Sequence, residues 1–255
     1  MPWARASSLD RHLECPAASH LPRLDRGKWE PGYLTQGLFV APVVAVEERD
    51  SFAADWGTAM HAAKANSSEA QDPFLTWVDP HREILWPTRL GLHEVAVSYD
   101  CRTGEVTTFQ GTKDETDKWK TSRGPDSVTG SCDWWARLPT GEPWIDDLKT
   151  GWKEPLVVTP QTLFYLMCRM KEANRGTEDP WTTGRVSITH WPRAKEPTEP
   201  TRSGLWRQVT DTALLAFEGE LKTAWVRAAG SNPEPRPGAH CLYCPSASVC
   251  DRANG

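Results

Sequence analysis

Gly130-Ser-Cys-Asp133 is followed, across a turn at Pro139-Thr-Gly-Glu142, by Ile145-Asp-Asp147-Leu-Lys149-Thr-Gly151. Both segments read as strands, and along a strand residues two apart face the same way. Asp147 and Lys149 therefore project together, with Leu148 turned to the other face. Asp133, on the preceding strand, points at the same spot across the hairpin. Two carboxylates and one ammonium converge there. Carboxylates are hard oxygen ligands of the kind Mg²⁺ or Mn²⁺ takes. A bound divalent ion lowers the pKa of its water and neutralises phosphate oxygens. A lysine beside it orients the water or stabilises charge developing on the phosphate. Asp133, Asp147 and Lys149 are thus an outfit for phosphodiester hydrolysis. Taken alone, D-x-K is also a common surface ion pair. Asp146 points away from Asp147 and reads as structural or as the edge of the site.

Working outward, Ser7 or Ser8 is placed to cap a helix running from Leu9 to about His20. Residues 22–50 are polar and irregular. Ser51 opens a helix that carries Phe52, Trp56, Met60 and Ala63 on one side. Strand character marks 92–99 and 105–109. The charged, Gly- and Pro-containing 111–127 reads as an exposed loop. Strands over 128–138 and 143–148 form the central hairpin. Thr159-Pro160 starts a helix that ends near Ala173. Strands at 185–190 and 205–209 precede a last helix, capped by Thr210 or Asp211, to about Ala229. Pro-rich 192–200 reads as a mobile loop, and no internal repeat is evident. This order predicts an α/β chain with a central mixed sheet flanked by helices. The expected organisation is an N-terminal segment 1–50, a core 51–230 and a cysteine-bearing C-terminal segment 231–255.

At 255 residues the chain is long enough to bury about 70% of its unfolded surface without a staple. Its 38% hydrophobic and 25% charged content are ordinary for a globular protein. No apolar run reaches membrane-spanning length and the first residues lack a secretion signal, so the expected location is cytoplasmic, with no membrane partner. The net charge of −5 runs against a broadly basic nucleic-acid surface, but a local groove suffices where metal ligands supply the acid. The 14 tryptophans include enough for core anchoring and for stacking on unpaired bases. Neither a phosphate-binding G-x4-G-K-[ST] loop nor an HExxH or G-x-S-x-G motif occurs, which excludes an encoded ATPase motor and the common hydrolase nucleophiles.

Three of the seven cysteines crowd the C-terminus as Cys241-Leu-Tyr-Cys244-Pro-Ser-Ala-Ser-Val-Cys250. An odd count without a secretion signal argues against a disulfide framework, and the clustering points to a metal. Cys15, in Leu13-Glu-Cys15-Pro16, is available as a fourth thiolate. Four thiolates suit an iron–sulfur cluster; four thiolates, or three with His240, suit zinc. Closing the 226 residues from Cys15 to Cys241 stabilises the fold by about 5 kcal/mol on a chain-entropy view.

The ordered blocks together resemble the PD-(D/E)XK nuclease superfamily, specifically its RecB-like branch. Beside the hairpin motif, Gly57-Thr-Ala-Met-His61 resembles the branch's helical histidine, and the resemblance implies that His61 is a metal ligand with Asp133, Asp147 and the Leu148 carbonyl. Gln161-Thr-Leu-Phe-Tyr165 resembles its Gln-x-x-x-Tyr helix, which implies that Gln161 and Tyr165 assist at the phosphate. Glu94 falls where the branch often has an acidic residue and is an auxiliary position. Ser7-Ser8-Leu9 with Cys15-Pro16, and the C-x2-C-x5-C tail, are similar to the AddB-type nuclease domains and the CRISPR-associated iron–sulfur exonucleases. That layout implies that Cys15, Cys241, Cys244 and Cys250 hold a [4Fe–4S] cluster. The resemblance implies a deoxyribonuclease, exonucleolytic on single-stranded DNA ends. It leaves room for a separate helicase, recombination or CRISPR-adaptation partner, phage or host context, and a homo-oligomer. Lys113, Lys118, Lys120 and Arg123 are available to guide DNA, or form a solvated mixed-charge surface. Two other readings are a non-catalytic DNA-end or partner-binding module of this fold and a zinc-held interaction domain.

Overall fold

The computed structural model describes residues 3–15, 17, 91–149, 155–190 and 206–229, with single positions at 235, 236, 238, 241 and 250. The helix expected from Ser51, with His61, and the loop at 192–200 lie outside the described residues, as does Cys244.

The chain opens with the two-residue strand β1 (Ala4–Arg5), a 3-10 turn (Ala6–Ser8) and helix α1 (Leu9–Glu14). Then come β2 (Gly91–Asp100), β3 (Val106–Phe109), α2 (Lys113–Thr121), β4 (Ser127–Arg137), β5 (Pro143–Lys149), α3 (Pro160–Ala173), β6 (Thr183–His190), β7 (Trp206–Thr210) and α4 (Asp211–Ala228). The strands form one seven-stranded sheet in the order β3-β2-β4-β5-β6-β7, with β1 pairing parallel to β4 off that path. The β5–β6 pair is also parallel and the rest are antiparallel. The sheet is therefore mixed and mostly antiparallel. A parallel neighbour needs a crossover, and α3 supplies it.

Helices α3 and α4 cover one face. Phe164, Tyr165 and Leu166 from α3 and Leu214, Phe217 and Leu221 from α4 join Val95, Val97, Ile145, Val186 and Ile188 in one core. Each such side chain, fully buried, contributes about 1.5–3 kcal/mol. Thr159 caps α3 by accepting from the Thr162 N–H, and Pro160 occupies the first turn as expected. Thr210 caps α4 in the same way.

Two expectations fail. Residues 111–127 hold a helix, α2, where a loop was expected. Thr112 and Glu115 form a reciprocal capping box that starts it, and Trp119 stacks on Phe109 with ring centroids 5.6 Å apart. The first helix is shorter than expected, ending at Glu14 before Cys15-Pro16. Ser8 stands at its N-cap but donates its hydroxyl to the Arg5 carbonyl and makes no side-chain cap. The short β1 makes the N-terminal segment part of the central sheet, since the Trp3 N–H donates to the Ser127 carbonyl and Ala4 pairs with Val128.

Candidate active site

The site grows out of an irregularity in β4. Gly130 faces Tyr165 of α3, and Trp135 also faces α3, donating its indole N–H to Glu172 at 2.8 Å. These positions are five apart, so strict alternation cannot put both on one face. The alternation slips between them. Across the ladder, His93 pairs with Trp134 and Val95 with Cys132, which sets Glu94 opposite Asp133. Glu94 has φ of 50°, the one non-glycine residue in the left-handed region among the described residues. Such a backbone costs of order 1–3 kcal/mol and gathers at functional sites. Here it lets β2 follow the slip, so that His93 packs on Trp134 while Val95 and Tyr99 enter the core.

The slip also coincides with the end of the β4–β5 pairing. Paired register runs from Arg137↔Pro143 to Trp134↔Asp146. Beyond it the Asp133 carboxylate takes over, accepting the Leu148 N–H at 2.6 Å. Asp133 is thus fixed against the backbone of the D-x-K strand. Asp147 is ion-paired to Lys149, with Nζ 2.5 Å from Oδ2. Asp133 and Asp147 are 5% and 3% exposed, whereas the Lys149 side chain is 38% exposed. Burial opposes the lysine charge most strongly, yet Asp147, then Asp133, with a smaller pull from Asp10 of α1, hold its ammonium above the usual pKa. Two buried carboxylates beside one ammonium leave a net negative pocket of oxygen donors. That is a setting a divalent cation completes. Among the described residues no group of three or more His, Cys, Asp or Glu side chains is gathered around a metal position. His61, the expected further ligand, lies outside them.

Asp146 turns to the opposite face, fully buried, and accepts from the Ser187 hydroxyl and from Thr189 Oγ1 at 2.8 Å. The indole N–H of Trp144 in turn donates to Ser187 at 2.8 Å. It is a structural anchor between β5 and β6.

Tyr165 lies one turn after Gln161 and is buried against the β4 strand. A Cβ on Gly130 would stand 2.7 Å from its phenol oxygen and 2.7 Å from Cβ of Ala6, so only glycine fits. Burial first, then the fields of Cys132 and Asp147, push the Tyr165 phenol well above its ordinary pKa, against a hydrogen bond from Gln161. The phenol stays protonated and serves as a donor. The contact with Ala6 ties β1 and the 3-10 turn to the site, a link too short in sequence to show periodicity.

The cysteines fall as follows. Cys15 and Cys250 are buried, and Cys241 is half-buried with its sulfur accepting the Gly238 N–H at 3.4 Å. The described residues do not bring them together as a metal set. Of the basic residues considered as a DNA guide, Lys120 is engaged with Asp117 and Ser131, and Arg123 lies over the Trp119 ring at 4.0 Å. No helix among the described residues is long and apolar enough to cross a membrane.

No curated protein matches the chain. A family model for the PD-(D/E)XK nuclease superfamily matches residues 6–251, a span that takes in the N-terminal turn, the hairpin and the cysteine tail. The chain belongs to the PD-(D/E)XK nuclease superfamily, whose members are metal-dependent nucleases that work with divalent cations such as Mg²⁺ or Mn²⁺.

Proposed function

We propose that the chain is a RecB-like deoxyribonuclease acting exonucleolytically on single-stranded DNA ends. The observation that carries the chemistry is the coupling of Asp133 to the Leu148 N–H beside the Asp147–Lys149 pair. Asp133, Asp147, the Leu148 carbonyl and His61 would hold the divalent cation, which when bound supplies an acidified water and charge neutralisation at the phosphate. Lys149 orients the attacking water and meets the charge that develops on the phosphate. Gln161 and the protonated Tyr165 donate hydrogen bonds at the phosphate side. Glu94, level with Asp133, adds negative potential near the cation.

The same reading gives Cys15, Cys241, Cys244 and Cys250 a structural [4Fe–4S] cluster that joins the N-terminal segment 1–50 and the C-terminal segment 231–255 around the core 51–230. It rests on cysteine spacing and on the way β1 and α1 bring Cys15 to a buried position. A cytoplasmic setting, a separate helicase, recombination or CRISPR-adaptation partner, and a homo-oligomer belong to the same proposal.

The test is one preparation made without oxygen. It is analysed for iron and sulfide, then assayed with Mn²⁺ on end-labelled single-stranded DNA, duplex DNA and RNA. About four irons per chain and stepwise loss of nucleotides from single-stranded DNA are expected. Zinc in place of iron removes the cluster, and RNA or internal cleavage removes the substrate assignment while the nuclease chemistry stands. A chain inert on all three leaves the binding-module reading in its place.

A further inference from the structure

Among the described residues, regular strand pairing reaches Lys149 from one side. Toward β4, paired register stops at Trp134↔Asp146, three residues short of it. Toward β6 the parallel ladder continues to the last residues of both strands, and there Lys149 pairs with His190. Which way His190 faces follows from its neighbours. Asp146 meets Ser187 and Thr189 on one face of β5 and β6. Asp147, Lys149, Ile188 and His190 therefore share the other face, the one toward α3. Ile188 and Val186 fill that face with apolar side chains in the core. His190 is the next position outward, is 7% exposed, and is the polar member of an otherwise apolar row. In-register neighbours on paired strands lie about 4.8 Å apart, so the two side chains leave the sheet next to each other on that face.

We infer that His190 is a positioning residue for Lys149. Its ring confines the long, partly exposed lysine side chain so that the ammonium stays over Asp147 and Asp133. A lysine has much rotamer freedom to lose, and an ammonium that wanders from the carboxylates no longer orients the water. The role does not depend on the charge state of the imidazole, since packing and one hydrogen-bonding nitrogen suffice. The inference rests on the nuclease reading and on the part assigned there to Lys149.

The test compares wild type, His190→Ala, His190→Gln, Lys149→Gln and the double variant His190→Ala/Lys149→Gln, on whichever nucleic acid the wild type cuts with Mn²⁺. His190→Ala is expected to lower kcat by about tenfold or more, with KM within about twofold and little change in melting temperature. His190→Gln, which keeps bulk and a hydrogen-bonding group, recovers most of the rate. In the Lys149→Gln background, His190→Ala has no further effect, because the partner it acts through is gone. Wild-type rates in His190→Ala overturn the inference alone. So does a fall of kcat, KM and melting temperature together without rescue by glutamine, or an undiminished loss in the double variant. A wild-type chain that cuts nothing overturns the nuclease reading and this inference with it.

Discussion

Asp146 turns to the sheet face that carries Trp134 of β4 and Trp144 of β5, where Ser187 and Thr189 donate to its carboxylate. Asp147, one residue on, turns to the face of α3 and meets Lys149. Both are buried. Burial therefore does not separate the structural acid from the chemical one; the partners do. Asp146 is met by hydroxyls fixed on the next strand, which take up both of its carboxylate oxygens. Asp147 is met by the Lys149 ammonium and stands beside a second carboxylate, Asp133, so the group as a whole stays short of positive charge.

The largest effect that sharpens this contrast is on turnover. Asp147→Ala or Lys149→Ala is expected to reduce metal-dependent cleavage by about 10³-fold or more. The melting temperature should move by only a few degrees, since the site is not the core. Asp146→Ala is expected to act the other way round. It leaves the Ser187 and Thr189 hydroxyls buried without their acceptor and costs about 2–4 kcal/mol, or about 4–16 °C in melting temperature for a chain of this size. Rates per folded molecule should stay within about tenfold of wild type. Thermal melts and assays on the same preparations decide it, and a dead but stable Asp146→Ala would show that the two faces are not separate in function.

Gly130→Ala tests how the chemical face is kept in place. The added methyl meets the Tyr165 phenol and Ala6 at 2.7 Å, and Ala6 sits next to a paired strand that cannot retreat far. A loss of about 1–3 kcal/mol is expected from overpacking. A drop in kcat larger than Asp146→Ala produces should accompany it, because Tyr165 is displaced. Pairing with Tyr165→Phe, which removes the crowded oxygen, should recover part of the stability but not the rate.

The hairpin could be read from sequence because a period of two is local and because the turn at 139–142 forces its strands together. The same rule assigned Asp146 and Asp147 to opposite faces. The parallel docking of β6 beside Lys149 was not legible, since the partner lies beyond a whole helix. Nor was the slip at Asp133, which depends on the left-handed backbone of Glu94 across the ladder and leaves no trace in residue spacing. Helix α2 was missed for a simpler reason: three acids and three lysines without an apolar stripe look like a loop. Thr112 with Glu115 three residues later was the signal present and passed over.

Glu218 on α4 extends the comparison to a third acid and gives the smallest effect. It accepts from the Tyr99 hydroxyl at 2.6 Å and from Lys171 and Lys222 at 2.9 and 2.8 Å. Burial opposes its charge most strongly, but the bonds from Lys222, Tyr99 and Lys171 together outweigh it and bring the carboxyl from 4.5 down to about 2. A folded pKa below the unfolded one means stability that is present in full above about pH 4.5 and is lost as pH falls toward 2. Glu218 is held by two ammonium groups as well as a hydroxyl, so it should write itself into the acid limb. Glu218→Gln is expected to cost of order 1–2 kcal/mol at pH 7 and to flatten the dependence of stability on pH between about 4.5 and 2. Denaturant unfolding at pH 7, 5 and 3 measures both. An unchanged acid slope in Glu218→Gln would mean that the lysines do not hold the carboxylate in its charged form.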